Sequence, residues 1–150
     1  VNSSFGLTEN AEITLEANPG TLIFNYLQEL RNIGVNRLSL GVQSFFDTEL
    51  AQLGRIHTRA EALESILWAR RAGFENLSLD LIFGLPKQGI KAWEYNLQEA
   101  IKIHPEHLSF YNLIVEEGTP LAEPISKGEM PAPDEDITAD MYELTMDVFA

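Results

Sequence analysis

Segments with the periodicity of β-strands alternate with segments of helical periodicity along this 150-residue chain. Strands are predicted at residues 12–17, 37–42, 77–83 and 107–113, and a helix follows each of them. The connections are short, and strand–helix–strand units of this kind form parallel sheets with right-handed crossovers. The sequence therefore predicts an α/β fold built on a parallel sheet.

Several residues predict where the helices begin. Thr21 is predicted to cap the first helix and Asp47 a short second helix. Thr58 and Glu61 have the spacing of a capping box, in which each side chain accepts a hydrogen bond at the start of a helix. Residues 114–133 contain four prolines and predict a loop before the last helix.

The two faces of the predicted strands differ in chemistry. In the second strand Leu38 and Leu40 alternate with Ser39 and Gly41, and the other strands alternate in a similar way. One face can therefore pack against helices, whereas the other is small or polar. A sheet covered by helices on both faces, or a sealed eight-stranded barrel, needs bulky apolar residues on both. The pattern indicates the wall of an open, partial barrel that holds a polar ligand.

Polar side chains gather where these strands end. Glu16, Gln43 and Asp80 lie at or near the carboxyl ends of the first three strands, which is where parallel α/β folds bind ligands. A carboxylate there can accept hydrogen bonds from ribose hydroxyls or an ammonium group, and an amide can both accept and donate. The sequence predicts a shared polar pocket at this end of the sheet.

Each of these residues also has a structural interpretation. Glu16 could form an ion pair with Arg37 or Arg55, although its place at a strand end favours a ligand. Asp80 could accept hydrogen bonds from the amides of the loop after its strand, and Gln43 could bind neighbouring strand ends; both interpretations stay open. Arg55 follows a helix end, where a cation suits the helix dipole.

Charge and composition exclude several classes of protein. Asp and Glu total 23 against 10 Lys and Arg, a net charge of −13 that opposes binding to nucleic acid or to an anionic membrane. No apolar run is long enough to span a membrane, and we expect a cytoplasmic protein. Cysteine is absent, so this chain alone can supply neither disulfides nor thiolate ligands for an iron–sulfur cluster. Its three histidines do not form a metal-binding pattern.

Six short motifs carry a resemblance to a known family. They are EANPGT at 16–21, GVNRLSLGVQSF at 34–45, LGRIH at 53–57, DLIFGLP at 80–86, YNL at 111–113 and EGTPL at 117–121. Together they resemble the oxygen-independent coproporphyrinogen III oxidases, which are radical S-adenosylmethionine (SAM) proteins. The last two motifs resemble most the haem-chaperone branch of that family.

The resemblance implies a fold and a set of binding residues. The fold would be a partial (β/α)6 barrel of TIM type, the radical SAM core, and residues 1–150 would be its central and C-terminal part, with no second domain. Glu16 matches a carboxylate that contacts the cluster-bound SAM. Gln43, Arg55 and Asp80 match residues that hold a second SAM in the true oxidases, and Ile114 matches a residue beside adenine.

The resemblance also implies cofactors and alternative functions. The family's CxxxCxxC motif, which holds a [4Fe-4S] cluster, would lie upstream of Val1, so we expect a piece of a longer protein that binds the cluster, SAM and haem. That protein would be a haem chaperone, or a true oxidase that decarboxylates propionates, or a non-catalytic relative. We expect the chain alone to be inactive and to self-associate through its uncovered strand edges.

Overall fold

The computed structural model describes residues 6–150 and shows strands and helices alternating along the chain. Four parallel strands form one sheet in the order β1-β2-β3-β4, so each crossover joins neighbouring strands. The elements are β1 (Thr14–Ala17), α1 (Phe24–Asn32), β2 (Arg37–Gln43), α2 (Asp47–Gln52), α3 (Arg59–Arg71), β3 (Asn76–Phe83), α4 (Ile90–Lys102), β4 (His107–Asn112), α5 (Ala122–Ser126) and α6 (Glu135–Phe149). The predicted parallel α/β fold is confirmed.

The apolar face of the sheet forms the core. Leu38 and Leu40 of β2 pair in register with Leu77 and Leu79 of β3, and all four are completely buried. Side chains of α1, α3 and α4 cover this face, because each helix turns an apolar stripe towards it. The predicted division into one apolar and one polar face is therefore confirmed.

The sheet does not close on itself. Within residues 6–150, β1 pairs only with β2 and β4 pairs only with β3. The polar face contains Ser39, whose register partners are Glu16 on β1 and Ser78 on β3. Residues paired across parallel strands point to the same side of a sheet, so these polar side chains share one face. The arrangement is an open wall, as the sequence predicts.

Two of the three predicted helix caps are wrong. The hydroxyl of Thr21 donates to the backbone oxygen of Asn18 at 2.7 Å, and α1 begins three residues later, at Phe24, without a side-chain cap. Asp47 is the first residue of α2, and its carboxylate accepts a hydrogen bond from the backbone N–H of Arg59 at 2.7 Å. In both cases the side chain that was predicted to cap the helix forms a hydrogen bond elsewhere. Thr21 bonds within a turn, and Asp47 bonds to the start of α3.

The remaining helix predictions are confirmed with one exception. Thr58 and Glu61 form the complete capping box at the start of α3. Hydrogen bonds from the backbone and hydroxyl of Thr58 lower the pKa of the Glu61 carboxyl. The stretch 114–133 is not entirely a loop, because it contains the short helix α5.

Ion pairs away from the carboxyl ends of the strands hold helices in place. Glu99 accepts hydrogen bonds from Lys102 and Arg59, which lower the pKa of its carboxyl. Burial opposes the ionisation of Glu106, but hydrogen bonds from Arg70 and from a β3 backbone N–H outweigh it and lower the pKa. Stability from both carboxylates is present above their ordinary pKa of 4.5 and is lost as pH falls through the lowered values.

Among the helices that the structure describes, none combines the length and apolar character needed to cross a membrane.

The indole of Trp93 is the largest completely buried side chain and has polar as well as apolar contacts. Its Nε1 donates to Thr145 Oγ1 at 2.8 Å and to the Met141 backbone oxygen at 3.2 Å. Its ring packs between Phe83 and Phe110, with centroid distances of 5.2 and 5.7 Å. Trp93 therefore joins α4 to α6 and to the end of β3.

We predict that Trp93→Phe lowers the free energy of unfolding by about 2 kcal/mol, because it removes buried volume and leaves the acceptors on α6 without the indole donor. The matched change Trp68→Phe affects a partly buried indole that only borders the core, and we expect a loss below about 1 kcal/mol. Urea unfolding followed by circular dichroism measures both. Equal losses would contradict the role given to the Trp93 hydrogen bonds.

Candidate functional site

Gln43 ends β2 in an unusual backbone conformation. Its φ is 67°, in the left-handed region that side chains other than glycine rarely adopt, and the pairing of β2 with β3 shifts between Leu40 and Gln43. A Cβ on Gly41 would lie 2.8 Å from Gln43 Nε2 and 3.4 Å from Asn18 Oδ1. The missing side chain of Gly41 therefore leaves space that the amides of Gln43 and Asn18 both border.

Arg55 approaches the same place from the turn after α2. Its Nη1 lies 3.4 Å from Asn18 Oδ1, the same oxygen that lies beside Gly41. A small cavity of about 130 Å³ opens here, and its lining includes Asn18, Arg55 and the buried His57. The sequence assigned no chemistry to His57, and its ring Nε2 lies 3.2 Å from the backbone oxygen of Val42.

Two buried polar atoms at this cluster have no hydrogen-bond partner in the described part of the chain. They are the acceptor Gln43 Oε1 and the donor Arg55 Nε. Buried polar groups are nearly always paired, so each of these two atoms needs a partner, which a ligand, water or residues outside the described part of the chain can supply. One acceptor and one donor suit a ribose hydroxyl or the edge of a nucleobase.

Asp80 lies on the polar face of β3 and is half-buried. The hydroxyl of Ser39 is 3.1 Å from both oxygens of its carboxylate. The interpretation of Asp80 as a cap for the following loop is wrong, because the amides of Gly84 and Leu85 donate instead to Gln88 Oε1. The remaining lone pairs of the Asp80 carboxylate are free to accept hydrogen bonds from a ligand.

Glu16 is exposed near the end of β1. The proposed ion pairs with Arg37 and Arg55 are absent among residues 6–150, since Arg37 lies 3.9 Å from Glu12 and Arg55 contacts Asn18. Glu16 is the register partner of Ser39, which bonds to Asp80. The two carboxylates therefore lie on the same face, with Ser39 between them.

Ile114 follows β4 and is 76% exposed. With Leu113 and Val115 it lines two neighbouring cavities of about 710 and 500 Å³. Gly54 lines the smaller of these two and also the cavity of Arg55, so the apolar and polar cavities adjoin. An apolar side chain beside a polar pocket suits a flat, partly apolar group such as a purine ring.

All five predicted site residues thus lie towards one end of the sheet, although no described contact joins them all. Arg55 contacts Asn18, Ser39 bonds to Asp80 and is the register partner of Glu16, and Ile114 lines separate cavities. The positions of Asn18 and Gly41 at this site were not predicted from the sequence. Two features of the sequence could have indicated them. Asn18 carries an amide at the end of a strand, and Gly41 is a glycine inside a strand, where glycine often marks the close approach of another group.

Comparison with known proteins identifies the family of this chain. The family model of the Radical SAM superfamily matches residues 5–100. The chain belongs to the radical SAM superfamily. The chain is 43% identical over 136 residues to the heme chaperone HemW of Bacillus subtilis, covering 91% of this chain and 36% of that protein. It is 41% identical to the mitochondrial radical S-adenosyl methionine domain-containing protein 1 of Bos taurus, covering 91% and 31%.

A solved structure shows the same fold. The radical SAM coproporphyrinogen III oxidase HemN of Escherichia coli superimposes with a TM-score of 0.83 at 27% identity, over 98% of this chain and 34% of that one. The resemblance to the haem-chaperone branch of the oxidase family and the expected partial barrel of TIM type are therefore confirmed. The chain spans about a third of the length of the relatives it matches.

The two cofactors of a radical SAM protein fit this chain differently. The unpaired atoms of Gln43 and Arg55 and the exposed carboxylate of Glu16 suit the hydroxyl, amine and base groups of SAM. A [4Fe-4S] cluster does not fit, because the chain has no cysteine. The described residues also contain no group of three or more His, Asp or Glu side chains placed to hold a metal ion. Any cluster must be held by residues outside this chain.

We predict that Gly41→Ala displaces the side chain of Gln43, because the new Cβ would meet Gln43 Nε2 at 2.8 Å. The side-chain amide signals of Gln43 and Asn18 in an NMR spectrum should both shift. Gly89→Ala is the control, since a Cβ at that glycine meets nothing within 4 Å, and it should leave these signals unchanged. Unchanged Gln43 and Asn18 signals in Gly41→Ala would contradict the described packing.

Proposed function

We propose that residues 1–150 are the central and C-terminal part of the radical SAM core of a haem chaperone-like protein. In this proposal Glu16, Gln43, Arg55, Asp80 and Ile114 contact SAM. The unpaired buried atoms Gln43 Oε1 and Arg55 Nε, together with the contact between Arg55 and Asn18, are the observation that carries the proposal. They are an acceptor and a donor without a partner among residues 6–150, and a nucleoside could supply partners for both.

The proposed residues have complementary roles. The Glu16 carboxylate would accept hydrogen bonds from the amino or hydroxyl groups of the cluster-bound SAM. Gln43, Arg55 and Asp80 would hold a second nucleoside, through an amide, a guanidinium N–H and a carboxylate. Ile114 would cover an adenine ring. Bound SAM, with a cluster, supplies one-electron chemistry, while this chain supplies only binding and orientation.

Binding of haem by the longer protein is supported by the names of two relatives, the HemW chaperones of Bacillus subtilis and Escherichia coli. The second candidate is a true coproporphyrinogen III oxidase, which the structural likeness to HemN favours. A non-catalytic relative is the third possibility, because this chain supplies no cluster ligand.

The net charge of −13 supports the absence of a nucleic-acid partner. The cytoplasmic location stays a prediction, and one relative bears a mitochondrial name.

We predict that SAM binds weakly or undetectably to residues 1–150 in calorimetry, because about two thirds of the matched relatives' length is outside this chain. A longer protein that adds an upstream CxxxCxxC segment should, after reconstitution with iron and sulfide, show cluster absorbance and cleave SAM. Arg55→Ala should weaken SAM binding there, whereas Lys127→Ala, which pairs with Glu123 away from the site, should not.

The products separate the candidate functions. Stoichiometric haem binding without decarboxylation would support the chaperone. Anaerobic decarboxylation of coproporphyrinogen III under reducing conditions would support the oxidase. Tight SAM binding by residues 1–150 alone would contradict the prediction that residues outside this chain are needed for binding. A complete parent gene without CxxxCxxC would overturn the proposed radical SAM activity.

We also propose that the isolated chain self-associates through the β4 edge. Tyr111 on this strand is 54% exposed, and unpaired strand edges recruit other chains. Size-exclusion chromatography should show oligomers that increase with concentration. Tyr111→Lys should reduce them, whereas Tyr142→Lys adds the same charge to an equally exposed position on α6 and should not. A monomer at all concentrations would overturn this proposal.

A further inference from the structure

Immediately after Gln43 the chain is held by a buried hydrogen-bond network. Ser44 Oγ donates to Glu49 Oε2 at 2.5 Å, and Asn96 Nδ2 donates to the same oxygen at 3.1 Å. Asn96 Oδ1 accepts from the backbone N–H of Phe45 at 2.7 Å. Ser44 and Asn96 are completely buried and Glu49 is 8% exposed. The network joins the end of β2 to α2 and to α4, although Asn96 lies more than fifty residues away in sequence.

The network holds consecutive backbone positions. Ser44 N donates to the Val42 oxygen at 2.8 Å, and Phe46 N donates to Ser44 Oγ at 2.9 Å. The ring of Phe46 also packs on Tyr95 of α4 at 4.9 Å. The three residues after Gln43 therefore have little freedom to move relative to α2 and α4.

This anchoring lies next to the strained residue of the site. A non-glycine residue at a φ of 67° persists only where its surroundings enforce the conformation, and such strain concentrates at functional sites. An aliphatic cluster could fill the same volume, but it would not fix the direction in which the backbone leaves β2. The polar network does so, because each bond has a required geometry.

We propose that Glu49 and Asn96 are positioning residues that hold Gln43 in its left-handed conformation and so place its amide over Gly41, ready for a ligand. They do not touch the ligand themselves. The ligand part of this inference rests on the proposed function, whereas the positioning part concerns this chain alone.

Glu49 offers a matched pair of variants. Both hydrogen bonds to its carboxylate use Oε2, so the amide oxygen of Glu49→Gln can accept both. Glu49→Leu removes the acceptor at similar volume. Asn96→Leu removes the side chain that bonds to both Glu49 and the Phe45 backbone. Ser44→Ala is the smallest change and is used if the larger variants do not fold. Thr145→Val removes a buried hydroxyl elsewhere in the core and is the control for lost stability alone.

The first measurement needs no ligand. In the NMR spectrum of the whole chain, the Gln43 side-chain amide should show a nuclear Overhauser effect to Gly41. We expect Glu49→Leu, Asn96→Leu and Ser44→Ala to weaken or abolish it, Glu49→Gln to restore it, and Thr145→Val to retain it despite lower stability. An unchanged effect in Glu49→Leu, or an equal loss in Thr145→Val, would show that the network only stabilises the fold and would overturn the proposal.

The second measurement uses SAM with the longer, cluster-loaded protein. Glu49→Leu should weaken SAM binding about three- to tenfold, the contribution of one or two hydrogen bonds, and Glu49→Gln should restore it. In a Gln43→Ala background Glu49→Leu should cause no further loss, since it acts through Gln43. If Gln43→Ala alone leaves SAM affinity unchanged, the proposed ligand role of Gln43 fails while the positioning result of the first measurement stands.

Discussion

Burial of one face of the parallel sheet is the constraint on which the other features depend. Leu38 and Leu40 lie beside Leu77 and Leu79, and helices cover all four from the same side. A shift of one residue in this pairing would turn the leucines towards the polar face and the serines into the core, which makes the register strongly preferred. The polar residues between the leucines are thereby directed to the opposite face.

The polar face in turn makes the candidate site possible. Ser39 lies between Glu16 and Asp80 because its strand lies between theirs, and no local sequence signal connects the three. At the end of β2 the regular ladder stops, Gln43 adopts a left-handed conformation, and its amide turns back over Gly41. A regular strand would have continued without turning that amide back over Gly41.

Composition and geometry show which binding groups this chain supplies and which must come from elsewhere. The chain provides an open wall with donors and acceptors suited to a nucleoside, and it has no cysteine for a cluster. In the proposed function, the ligands of a cluster come from residues outside this chain. Haem chaperone and oxidase relatives share this wall, and the wall by itself does not distinguish between them.

The amino-acid sequence by itself determined the order of strands and helices, the apolar face, the Thr58–Glu61 capping box and the absence of cluster ligands. These features depend on periodicity or on residues three positions apart, which local sequence records directly. Tertiary structure alone decided that Asp47 binds the backbone N–H of Arg59 instead of its own helix, and that Arg55 contacts Asn18. It also decided that Asn96 anchors the end of β2, because packing selects partners that are distant in sequence.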